Sequence, residues 1–224
     1  MTRSEYYRSC IALAQEKRAE YAIATMALDL NVMRAVYRSE GITIDQRPLK
    51  GYRIRAAYYC ENGDSSVLVN SKLPREPRLF ALAHELKHHY LDRQSIEDGQ
   101  IQCGDYNAHE VIEKGAEVFA AEFIYPEAEM RELIGTMGIT NQNCGPEAVV
   151  RFKRECHACV SYTFIVKRLE WFGICARGAF NKVQFTKVEE ELYGLPIYKR
   201  ESFRKARARK KELRTRRPTL AKKR

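Results

Sequence analysis

The segment His84-Glu85-Leu86-Lys87-His88 restricts this chain more than any other. Histidines four residues apart stand one above the other only on an α-helix, where both imidazoles can turn towards a single Zn²⁺. Glu85 lies about 100° round such a helix from the first histidine, which lets its carboxylate act as general base for a water that the metal activates. Leu79, Leu82, Ala83, Leu86 and Tyr90 recur at helical spacing, forming an apolar stripe beside the histidine face. The helix is expected to be buried on one side and chemical on the next. In the plainer reading its histidines face water or cap a core, but three of the five histidines of the chain fall at His84, His88 and His89. Scattered structural histidines would not cluster in this way.

The 224 residues, 45% of them apolar, can fill one substantial core and a small second one. Net charge is +10, yet residues 199–224 alone hold fourteen Lys/Arg against two Glu, or +12, so the other 198 residues sum to −2. The basic character belongs to a tail and gives no reason to read the fold itself as a nucleic-acid binder. Residues 1–5 lead into a polar helix without the core of a signal peptide, and no apolar run approaches membrane-spanning length. A cytoplasmic protein with no membrane partner is expected. Seven cysteines, an odd number, then suggest reduced thiols rather than a disulfide framework.

Between residues 4 and 38, Ile11, Leu13, Ala14, Ala22, Met26, Leu30, Met33 and Val36 recur at three- and four-residue steps, predicting one long helix or two that end at Gly41. Residues 52–60 and 65–70, joined through Asn62-Gly63-Asp64, predict an antiparallel hairpin. Pro74 and Pro77 start the histidine helix, which should run to about residue 91. A polar loop over 92–107 leads to a helix at 109–125, stopped by Pro126, and a short helix at 127–134. Gly135 and Gly138 mark a boundary. Beyond it, 146–155 and 162–172 read as helices and 183–185 as a short strand. The domain plan is 1–135, a small helical unit at 136–198, and a flexible basic tail at 199–224.

A catalytic zinc ordinarily has three protein ligands and one open position. On the helix at 109–125, Glu110, Glu113 and Glu117 share one face beside a stripe of Ala116, Phe119, Ala120, Phe123 and Ile124. Carboxylates bordering an apolar stripe are costly to bury without a partner. A zinc ion held between the two helices would be such a partner; a solvated edge or pairing with Lys and Arg is the plainer alternative.

The stretches F-A-L-A-H-E-L-K-H-H-Y-L at 80–91 and E-K-G-A-E-V-F-A-A-E-F-I-Y-P at 113–126 resemble the ImmA/IrrE family of metallopeptidases. That family follows an H-E-L-G-H helix with one of the type E-x-x-A-N-x-F-A-A-x-L-L-M-P, whose first glutamate is the third zinc ligand. The resemblance covers roughly residues 4–135. It implies an α+β, mainly helical, zincin-like fold with a small antiparallel sheet, in which His84, His88 and Glu113 hold Zn²⁺ in a gluzincin-like set and Glu85 is catalytic. Lys87 stands where the family often has Gly, Glu117 where it has Asn, and Ile124-Tyr125-Pro126 where it has Leu-Met-Pro. Lys87 touches no ligand position. Glu117, one turn beyond Glu113, is an alternative ligand or a group that orients a histidine from behind. The resemblance further implies a metalloprotease that cleaves a helix-turn-helix transcriptional repressor, relieving repression in a prophage, mobile element or stress response.

Other features carry weaker expectations. His109, Tyr90 and Tyr125 are candidate oxyanion donors. Cys156 and Cys159, with Cys144 and Cys175, offer four thiols for a structural zinc, although the outer spacing is poor. The helices around 158–161 resemble a helix-turn-helix, with Lys153, Arg154, Lys167 and Arg168 as its few basic residues. The family resemblance implies either a degenerate DNA-binding unit or, with so thin a basic character, a helical cap on the protease, which is the reading preferred. The tail could add salt-dependent affinity for nucleic acid. The rival class is a non-catalytic regulator, a zincin-like scaffold that binds DNA or a repressor, but a purely structural metal site has no need of Glu85.

Overall fold

The computed structural model describes residues 2–24, 28–49, 54–101, 109–196, 199–201 and 205. Most of the basic tail therefore lies outside the described residues. Two compact units divide at residues 179 and 180. The larger contains α1 (Arg3–Glu20), α2 (Leu30–Ser39), β1 (Thr43–Arg47), β2 (Ala56–Glu61), β3 (Asp64–Asn70), α3 (Arg75–Leu91), α4 (Arg93–Glu97), α5 (Glu110–Ile124), α6 (Glu127–Thr136), α7 (Pro146–Glu155) and α8 (Tyr162–Trp171). The second holds α9 (Phe185–Tyr193).

The histidine helix is the centre of the larger unit. One flank of α3 packs on β2 and β3, another on α5, and α5 in turn lies along α1. Its apolar stripe supplies Leu79, Leu82, Ala83 and Leu86, all almost fully buried. Pro74 immediately precedes the helix and Pro77 sits in its first turn, where a missing N–H costs no hydrogen bond. Tyr37 of α2, itself buried, donates its hydroxyl to the Leu82 carbonyl at 2.7 Å, tying α2 to the middle of α3.

The predicted hairpin forms, with β2 antiparallel to β3 and a turn in which Asn62 and Gly63 both have positive φ, 51° and 83°. Asn-Gly turns favour this geometry because its twist matches that of the strands. The sheet differs from the expectation of a purely antiparallel one. A third strand, β1, pairs parallel with β3, giving a mixed sheet in the order β1-β3-β2. β1 reads T-I-D-Q-R, a short polar run without the β-branched density that marks a strand, and its partner is chosen by tertiary packing.

Of the one long helix or two expected over residues 4–38, the two-helix form is the one observed. A capping box starts α1, with Thr2 accepting from Glu5 N–H and Glu5 accepting in return, and Asp29 caps α2 by accepting from Asn31 and Val32. Met26 lies outside the described residues. α7 spans the predicted residues, Pro146 occupying its first turn, and Ser161 caps α8 by accepting from Phe164 N–H. The strand expected at 183–185 is absent: Phe185 opens α9, because a three-residue alternating run followed by T-K-V-E-E-E-L-Y is a helix former with no strand to pair with. The loop expected at 92–107 contains the one-turn helix α4, and residues 102–108 lie outside the described residues. No described helix is long and apolar enough to cross a membrane.

Because Leu86 is wholly buried where α3 meets its neighbours, Leu86→Ala should lower unfolding free energy by about 2–5 kcal/mol in urea titration. A loss below about 1 kcal/mol would show that α3 is not the packing centre described.

Candidate metal centre

α3 presents His84 and His88 one turn apart, and the first turns of α5 bring Glu113 to meet them. His84 Nε2 lies 3.0 Å from Glu113 Oε2 and 3.3 Å from His88 Nε2, while His88 Nε2 is 3.7 Å from Glu113 Oε1. Among the described residues these three form the one group of His, Cys, Asp or Glu whose ligand atoms lie close enough together, within 4.8 Å, to hold a metal ion.

The second histidine is oriented from behind by a residue the sequence reading passed over. Asp92 Oδ2 lies 2.7 Å from His88 Nδ1 and also accepts a 2.6 Å hydrogen bond from Lys87 Nζ. A carboxylate on the Nδ1 side favours the tautomer with the proton there, so the Nε2 lone pair faces His84 and Glu113. The signal was an aspartate four residues after the second histidine, just past the end of the helix. Lys87 stays clear of the ligand atoms, as expected, but it is fully buried, bonded to Asp92 and to the Ile112 carbonyl at 3.3 Å, with its ammonium 5.4 Å from the Tyr6 ring centroid.

Glu85 is buried between α3 and the sheet, where its Oε2 accepts a 2.9 Å hydrogen bond from the Tyr58 backbone N–H of β2. Burial raises its pKa above the ordinary carboxylate range, although His84 and His88 pull in the opposite direction. Burial alone would lower the pKa of His84, but its hydrogen bond to Glu113 and the charges of Glu85 and Glu113 outweigh it, and the net shift is upward.

Would these residues suit a metal? Two imidazole nitrogens and a buried carboxylate converge on one point, and the two Nε2 atoms face each other across 3.3 Å, a distance at which only one of them can carry a proton towards the other. Glu113 and Glu85 are each at most 5% exposed, so the site collects negative charge out of reach of water. The N, N, O donor set suits a borderline divalent ion, and such an ion would neutralise the buried carboxylates. The residues fit.

The remaining candidates separate cleanly. Glu117 meets Lys114 at 2.7 Å and Lys167 at 3.8 Å and is not part of the triad, while the exposed Glu110 is 4.0 Å from Arg3. His89 turns to the other side of α3, into a buried network with the Tyr58 hydroxyl at 3.0 Å and Glu40 at 3.6 Å. Tyr90 stands 3.2 Å from the Tyr21 hydroxyl and packs on Phe119. Tyr125 is packed near Phe152 at the far end of α5, about 18 Å along the helix from Glu113. Of the three oxyanion candidates only His109, one turn before Glu113, stands at the triad's end of α5. Cys144 and Cys175 lie within hydrogen-bonding reach of each other, but they form no metal group with Cys156 and Cys159. Arg168 is buried against Glu122 at 3.2 Å, and Lys153 is bonded to Glu76 and the Val160 carbonyl, both at 2.6 Å, which withdraws two of the four cations expected to face DNA.

A family model, Peptidase_M78, described as the IrrE N-terminal-like domain, matches residues 38–170. The match starts later than residue 4 and runs well beyond residue 135, through α7 and most of α8. No curated protein sequence matches the chain.

Two outcomes follow from the geometry around His88 and His84. Asp92→Asn should weaken binding of a divalent metal by about 10–100-fold, measured by competition with a chelator, because the histidine keeps its place but loses the charge behind it. Since the pKa of His84 is raised, its proton competes with the metal: affinity should rise with pH, go on rising above the range in which an ordinary histidine has already lost its proton, and flatten once the free site has lost that proton. A flat profile would show that His84 does not bind the metal.

Proposed function

Because the chain belongs to the IrrE N-terminal-like peptidase family, we propose that it is a zinc-dependent endopeptidase whose protein substrate is a helix-turn-helix transcriptional repressor. His84, His88 and Glu113 hold the metal, and Glu85 is the catalytic base. The observation that carries this reading is the convergence of the three ligand atoms within 4.8 Å, with Glu85 buried on the adjoining face of the same helix.

Bound zinc supplies Lewis acidity, making water a better nucleophile at neutral pH and drawing electron density from a peptide carbonyl. Everything else falls to the chain. Glu85 takes a proton from the attacking water and returns it to the leaving amine, and its raised pKa brings it closer to the working pH of a group that must both accept and donate. The Tyr58 N–H fixes one oxygen of Glu85 by hydrogen bonding, leaving the other to handle the proton. Asp92 holds the His88 ring in the orientation and tautomer that a ligand needs, and Lys87 anchors Asp92. His109, at the triad's end of α5, is the candidate for stabilising the developing oxyanion.

The identity of the substrate rests on the likeness of the two helical segments to the ImmA/IrrE peptidases, as does release of repression, and a cytoplasmic location is part of the same proposal. The domain plan of a catalytic 1–135, a helical 136–198 and a basic 199–224 that lends weak affinity for nucleic acid belongs to the same proposal. Glu117, one turn beyond Glu113 on the same helix, stays outside the ligand set, with Glu113 as third ligand.

Mass spectrometry of the purified protein should find about one zinc per chain, lost in His88→Ala and Glu113→Ala and kept in Glu117→Ala. Glu85→Gln should keep its zinc while cleavage of a co-expressed repressor falls by at least about 100-fold. Zinc that survives the loss of His88, or undiminished cleavage by Glu85→Gln, would overturn the assignment.

A further inference from the structure

Within the triad the side chain of His84 is the most exposed, at 13% against 0% for His88 and 1% for Glu113. Both metal-bearing helices lead from the triad to one cleft. On α3, one turn before His84, stands Phe80; on α5, one turn after Glu113, stands Glu117. Both line a cleft whose apolar surface comes from Ile11, Phe80, Val118, Ala121, Phe164 and Trp171. Phe80 and Phe164 meet edge to face at 6.2 Å, and Trp171 remains 48% exposed.

Size and charge restrict what the cleft can take. It holds about 80 Å³, roughly half of the ~150 Å³ that admits a benzene ring. A leucine, isoleucine or methionine side chain fits that space better than an aromatic one. At the rim, Lys114 and Lys167 share the single carboxylate of Glu117, and Arg168 is already paired with Glu122. The rim is therefore net positive and complements an acidic residue.

We infer that this cleft is a substrate subsite, seating a medium-sized aliphatic side chain of the cleaved protein with an acidic residue beside it. The inference rests on the peptidase reading, since the triad is what gives a neighbouring cleft a substrate to select. The selecting residues come from α8 as well as from the two metal-bearing helices. That gives the helical segment after the ligand helices a direct part in substrate choice.

Trp171 is the single tryptophan of the chain, so its fluorescence reports on the cleft alone. The experiment titrates zinc-loaded Glu85→Gln protein with a short blocked peptide, Ala-Ala-Leu-Asp-Ala, and with analogues carrying Ala for Leu or Lys for Asp. The parent peptide should change Trp171 emission saturably, and each analogue should bind about tenfold more weakly. Adding Ala121→Phe, which fills the cleft from α5, should weaken the parent peptide by a similar factor with zinc content unchanged. Should that variant fail to fold, Lys167→Glu provides the second test, reversing the preference between Asp and Lys. Equal binding of the Leu and Ala peptides, or binding indifferent to both substitutions, overturns the subsite. Digestion of a peptide library by the wild-type catalytic sequence separates this from failure of the peptidase reading. Cleft-dependent binding without any cleavage keeps the cleft and sinks the enzyme, whereas cleavage whose side-chain preference is unmoved by Ala121→Phe does the reverse.

Discussion

Charge buried at the contact of α3 with α5 sets the terms on which the larger unit can fold. Glu85, Glu113 and Asp92 are each less than 9% exposed, and a carboxylate in such surroundings destabilises the fold unless a donor or a cation meets it. Each has one within the fold: the Tyr58 N–H for Glu85, His84 for Glu113, and both Lys87 and His88 for Asp92. These partners come from a strand, a helix interior and a helix end, so the sheet, α3 and the segment leading into α4 must all be in place before the site exists. Function and folding are coupled through the same few side chains.

The opposite end of α5 follows the same logic with different residues. Glu122, fully buried, accepts from Arg168 of α8, from Gln15 of α1 and from the Glu127 N–H that begins α6. Arg18 of α1 donates to the Phe123 carbonyl at 2.6 Å, satisfying one of the carbonyls a helix end leaves open. Between these ends, Gly115 lets α1 approach: a Cβ there would lie 2.5 Å from the Tyr6 ring, over which the Lys87 ammonium also lies. α5 is thus fixed at one end by the fold and meets the triad at the other.

Much of this was legible in the sequence because its signals are local. Two histidines at helical spacing, a glutamate on a second amphipathic helix, an Asn-Gly turn and a proline at the first turn of α7 each specify geometry within a few residues. What escaped depends on partners that helical periodicity does not name. Arg168 read as a cation facing DNA, yet it is buried by Glu122, 46 residues away, and Lys87 is buried by Asp92, five residues further on. Asp92 sits just beyond a helix end, where periodicity stops informing. β1 owes its strand state to parallel pairing with β3, and the alternation at 183–185 was too short to outweigh the helix-forming residues after it.

Lys87 has a further consequence in the charge stoichiometry of the centre. Three carboxylates, Glu85, Glu113 and Asp92, face one ammonium, Lys87, within the same buried shell. Carboxylates outnumber the ammonium there, so the shell favours a multiply charged cation over a univalent one. Lys87, standing between the two histidines and paired with Asp92, moderates that preference from within the ligand helix itself.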